Sequence, residues 1–160
     1  MATRILLLRT ARHLDTALGA LRNAYPAARI SVCAGSASES VLDAAGVDRS
    51  DRVIGEWSHF SPSTLLRSPT GRKLLRGHRD VVAVMWMDRD GRGQDNVTRS
   101  ALLLSPRGFI AILPDGSWRR HSGRRAMVRE LARAVRSMAV AVAVLTLLLI
   151  PARVLRAAGH

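Results

Sequence analysis

The chain has 160 residues, 48% of them hydrophobic but only 4% aromatic, so it can bury one core and must build it from Ala, Val, Leu and Ile. The formal net charge is +13 and nearly all of it is arginine, Lys73 being the sole lysine; this fits either an anionic partner or the arginine bias of a GC-rich genome. Cys33 is the only cysteine, which excludes a disulfide framework within the chain and suits a reducing compartment.

The predicted elements alternate from the start. Arg4–Leu8 reads as a buried strand; the apolar run is too short for a signal-peptide core and is closed by Arg9 and Arg12. Asp15–Ala24 reads as a helix with Leu14, Ala17, Leu18 and Leu21 on one face and Asp15 as its N-cap, stopped by Tyr25-Pro26. Arg29–Ala34 is a second buried strand, in which Cys33 is expected as a small hydrophobe. After Gly35-Ser36, Ser38–Ala45 suggests a short helix ended by Gly46, and Arg52–Ile54 a third strand. Ser61-Pro62 opens a helix bearing Leu65 and Leu66, and Leu74-Leu75 lies on another turn before Gly77. Asp80–Met87 is a fourth strand, Asn96 caps a helix through Leu104, and Gly108–Leu113 is a fifth strand. Pro114-Asp115-Gly116 is a turn, from which Ser117–His121 returns as a hairpin arm. The expected fold is therefore α/β and Rossmann-like over residues 1–118, with a mostly parallel sheet of about five strands and flanking helices. Its ligands are expected beyond the C-terminal strand ends, at the loops Thr10–Leu14, Gly35–Ser38, Gly55–Ser61 and Asp88–Asn96.

Residues 119–136 read as an Arg-rich helix beside a membrane. From Ser137 to Ala152 no residue carries a charge, and a helix over that run would be about 24 Å long against about 30 Å of hydrocarbon. Val154 and Leu155 extend it to 155 if Arg153 reaches the head groups, which leaves 156–160 as a tail. Arg119, Arg120, Arg124, Arg125, Arg129, Arg133 and Arg136 precede the run, and only Arg153 and Arg156 follow it. That asymmetry places the α/β domain in the cytoplasm. Arg125, Arg129 and Arg133, joined by Arg136, form a stripe aimed at anionic lipid. Spanning the bilayer, lying in its plane and packing on the domain or on a second copy all remain open for this run.

The chemistry-bearing motifs are sparse. Gly35, Ser36 and Ser38, between a strand and a helix, could hold a phosphate on backbone amides and hydroxyls, or simply start a capped helix. Asp15 is the candidate general base, and equally a helix cap. Gly91-Arg92-Gly93 has neither Walker nor dinucleotide-fingerprint spacing, and Arg89 and Arg92 suit an anion contact or a solvated loop. The five histidines have no metal-ligand spacing, and Asp88, Asp90 and Asp95 lack the closing Glu of a calcium loop, so neither metal nor cofactor is expected. No basic and aromatic residues interleave as a stacking platform requires, which argues against nucleic acid.

Arg4-Ile-Leu-Leu-Leu-Arg9, Asp15, Ala20-Leu-Arg-Asn-Ala-Tyr-Pro-Ala-Ala-Arg-Ile30, Val47-Asp48 and Asp51-Arg52-Val53-Ile54 together resemble the opening of the heptosyltransferase-like glycosyltransferases, glycosyltransferase family 9, of GT-B fold. Leu74 through Met87 resembles a later helix–strand step of that family, so the likeness runs over about residues 4–115. It implies surface-glycan or lipid-linked sugar assembly, with Asp15 in the place of the base. Leu14 stands where the family has Gly, and the apolar tail stands where its nucleotide-sugar domain would be. The resemblance thus implies an acceptor-side half that needs a donor-binding chain. The alternative is a non-catalytic, tail-anchored module that recruits a partner to the membrane.

Overall fold

The structure is a computed structural model that describes residues 2–8, 13–57, 59–89, 91, 93–128, 131–132 and 135–140. The chain divides into two units, Met1–Arg124 and Arg125–His160.

The first unit is Rossmann-like. Strands β1 (Arg4–Leu8), β2 (Arg29–Gly35), β3 (Arg52–Gly55), β4 (Val81–Met85), β5 (Gly108–Ile112) and β6 (Trp118–Ser122) form one sheet of order β3-β2-β1-β4-β5-β6. The first five are parallel and β6 is antiparallel to β5. The sheet therefore has six strands rather than about five, because the returning arm after Pro114 pairs along its whole length with β5. The turn itself is fixed by Gly116 at φ 79 and by Asp115 Oδ1, which accepts from Ser117 N–H (3.0 Å) and Oγ–H (2.6 Å).

The helices are α1 (Leu14–Ala24), α2 (Glu39–Ala44), α3 (Pro62–Arg67), α4 (Pro69–Arg76) and α5 (Asp95–Leu104). Right-handed crossovers from β1 to β2 to β3 put α1 and α2 on one sheet face, and the step back from β3 to β4 puts α3 and α4 on the other, with α5. Burial agrees. Ile5, Leu7, Val32, Ala34, Ala83, Met85, Ile110 and Ile112 share a core with Leu14, Leu18, Leu21 and Leu42 of the first layer. Leu6, Leu8, Cys33, Val84 and Phe109, at alternate strand positions, are equally buried on the opposite face. Strands enclosed on both faces explain the unbroken apolar runs in the sequence.

Three local expectations change. Asp15 is not the cap of α1: the helix opens one residue earlier because Leu14 is buried in the core, and His13 holds the cap position. Asn96 likewise lies inside α5, whose cap is Gln94. The helix expected over Ser38–Ala45 is a 3-10 turn, Ser36–Ser38, running into the shorter α2. By contrast, Ser61 caps α3 as its sequence suggests: Thr64 N–H donates to Ser61 Oγ (3.2 Å) and Ser61 N–H to Thr64 Oγ1 (3.0 Å).

Candidate functional site

The order of the sheet reverses at β1, so its switch-point crevice lies past the C-terminal ends of β1 and β4. Thr10, Ala11 and Arg12 of that rim lie outside the described residues. His13, at φ 72 and ψ 41, adopts a left-handed conformation uncommon without glycine. Asp15 follows in the first turn of α1 and is exposed to solvent.

At the ends of β2 and β3 the space is filled by Trp57. A Cβ at Gly35 would collide with the Trp57 carbonyl, and one at Gly55 with the Trp57 indole ring. These glycines thus admit a tryptophan, a packing demand that a reading in terms of phosphate loops does not detect. Trp57 is buried against Phe60, ring centroids 5.2 Å apart. Ser36 and Ser38 belong to the 3-10 turn that follows Gly35, and Ser38 makes no capping hydrogen bond from its side chain. Past β4, Trp86 packs edge-on to Phe109 at 6.3 Å and under Gly91, where a Cβ would strike its ring. Gln94 fastens this loop when its amide is turned so that nitrogen donates to Met85 O and oxygen accepts from Met87 N–H, both at 2.9 Å. Arg89 makes a loose, exposed ion pair with Asp115 at 3.6 Å; Asp90 and Arg92 lie outside the described residues. Among the described residues no group of three His, Cys, Asp or Glu could hold a metal.

A cleft of about 510 Å³ lies at the other end of the sheet. Arg4, Arg29 and Arg52 are the first residues of three adjacent strands, and Arg79 stands shortly before a fourth. All four line the cleft, with Lys73 of α4 and His78. Two of these cations are neutralised. Arg29 Nε donates to Asp51 at 2.6 Å, and Arg52 donates to Asp43 at 2.6 Å and to the Val47 carbonyl.

The other three are not neutralised in this way. Arg4 Nη2 meets His78 Nδ1 at 3.0 Å, which requires the imidazole to accept there and to carry its proton on Nε2. Lys73 has no ion-pair partner among the described residues. Arg79 turns Nε and Nη2 onto the Gly77 carbonyl (3.3 and 2.9 Å), while its Nη1 is buried with no hydrogen-bond partner. Burial disfavours the charged guanidinium and lowers its pKa. Cys33, behind it on the same face, is buried so completely that its thiol is pushed up to about 12, the nearby Arg79 charge offsetting only part of the shift.

In the second unit, residues 125–128, 131–132 and 135–140 are helical. Met127, Val128, Leu131, Val135, Met138 and Val140 are exposed, as are Arg125 and Arg136. Arg129, Arg133 and residues 141–160 lie outside the described residues, and with them most of the uncharged run. No described helix is long and apolar enough to cross a membrane.

Comparison with protein families, with curated proteins and with solved structures returns no match. The resemblance to the GT-B glycosyltransferases therefore reaches the Rossmann-like α/β architecture and gives no family assignment.

Proposed function

We propose that this chain is an α/β module held to an anionic membrane by its tail, acting without catalysis to bring a partner there. The observation that carries the reading is the row of exposed Met127, Val128, Leu131, Val135 and Met138 on helical backbone. By sequence position at helical spacing these five residues would share one side and Arg125 and Arg136 the opposite one, where exposed Val140 also falls. An apolar stripe with basic residues opposite it is the pattern that binds a lipid interface, and the uncharged run from Ser137 to Ala152 adds apolar area to the same segment. The arginine excess before that run supports a cytoplasmic position for the α/β unit. Flotation with vesicles should carry the full chain upward with phosphatidylcholine–phosphatidylglycerol and much less with phosphatidylcholine alone. Leu131→Asp together with Arg125→Glu and Arg136→Glu should leave it at the bottom. A chain that ignores anionic vesicles would end this reading.

A second reading is an acceptor-side glycosyltransferase half that works with a donor-binding chain. It is favoured by the strand order, whose switch point lies at the β1 end next to α1 and Asp15. Asp15→Ala should then abolish sugar transfer in a reconstituted mixture while the circular dichroism spectrum is retained. Unchanged transfer leaves the non-catalytic role.

A further inference from the structure

The N-terminal edge of the sheet carries a site with no place in either reading above. We propose that the cleft lined by Arg4, Lys73, His78 and Arg79 binds a phosphate-bearing ligand, the phosphate held by Arg4, Lys73 and Arg79 and the remainder lying over Leu6, Ser31 and Val53.

Three observations carry this. The charge in the cleft is of one sign: of five lining cations, Arg29 and Arg52 have carboxylate partners, and Arg4, Lys73 and Arg79 have none among the described residues. Among the described residues no Asp or Glu lines the cavity. Asp80, the nearest acid to this cluster in sequence, accepts the Arg4 backbone N–H at 2.8 Å.

The second observation is the buried, unpartnered Nη1 of Arg79. A guanidinium cannot lose its proton to escape burial, and an unsatisfied buried donor on this half-buried cation is costly. A ligand oxygen that draws the guanidinium outward and accepts from Nη1 would remove that cost. Phosphate suits the position because it offers several acceptor oxygens to a planar fork and to a point charge together. His78, with its proton on Nε2, adds a neutral donor.

The third is shape. The cleft is about 510 Å³, within the range of small-molecule sites and far larger than a lone anion needs. Leu6 and Ser31 are register partners on adjacent strands, and Val53 sits one strand further on, beside Cys33. They give the cleft a mixed apolar and hydroxyl wall suited to an organic body. The phosphate could belong to a soluble metabolite or to a lipid head group.

The test uses the full chain in non-ionic detergent at fixed ionic strength. Thermal shift and calorimetry would be run with inorganic phosphate, ribose 5-phosphate, ribose and soluble dihexanoyl phosphatidic acid. Saturable binding is expected for the phosphates and none for ribose. K73Q, at an exposed position without an ion-pair partner among the described residues, should weaken phosphate binding about tenfold or more with the melting temperature of the free protein unchanged. R79Q should abolish it. Tighter binding of the phosphatidic acid than of ribose 5-phosphate would assign the phosphate to a lipid, and the reverse order to a soluble ligand. Absence of binding by every phosphate, or binding that folded K73Q retains in full, would overturn the proposal. Because K73Q leaves the tail intact, vesicle flotation of that variant separates failure of this site from failure of the membrane reading.

Discussion

Cys33 and Trp57 show how single residues divide the chemistry of the sheet. Cys33 is 0% exposed in the centre of β2, and burial pushes its thiol from 9.0 up to about 12. A group whose folded pKa is raised contributes stability that is complete below its unfolded pKa and is lost as pH rises towards the folded value. The thiol should therefore resist iodoacetamide at pH 8 in the native protein and react promptly once denaturant is added. Prompt labelling without denaturant would show that the strand opens locally. Trp57 was not singled out by its sequence context. Its role became visible only where its ring and carbonyl occupied the space that Gly55 and Gly35 leave free.

Among the elements, α3 shows local chemistry at its most legible. Ser61, Pro62 and Thr64 supply the cap, the first helical residue and the reciprocal bond. Ser61→Ala should cost about 1 kcal/mol, read as a fall of about 2–4 °C in melting temperature for a chain of this size. A variant that melts with the parent would mean that packing of Leu65 alone holds the helix. Strand β1 makes the complementary case. It lies at the centre of the sheet with parallel neighbours on both sides, and Leu7 is 1% exposed. Leu7→Ala should cost about 2–5 kcal/mol in a denaturant titration, since a buried leucine leaves a cavity as well as losing its transfer free energy. The starts of α1 and α5 were less legible, because at both the helix opens on a residue whose place depends on tertiary contacts: buried Leu14 in one, and a loop clasped by Gln94 in the other.

At the scale of the molecule, two features of opposite character meet in one short chain: a sheet enclosed by helices, and a tail segment whose apolar residues face solvent. The sequence by itself determined the alternation of strands and helices, the parallel character of the sheet and the uncharged run after Arg136, because these rest on periodicity and charge, which are local. It also displayed an arginine at the head of each of the first three strands, but attached no meaning to it: strands far apart in the chain have no relation until they are paired. Only the tertiary structure decided that β1, β2 and β3 lie side by side with those arginines at one edge, that Asp51 and Asp43 neutralise two of them, and that Arg79 is left with a buried donor unsatisfied. The physical reason is that charge compensation and burial are properties of neighbours in space, and in a crossover fold those neighbours come from segments tens of residues apart.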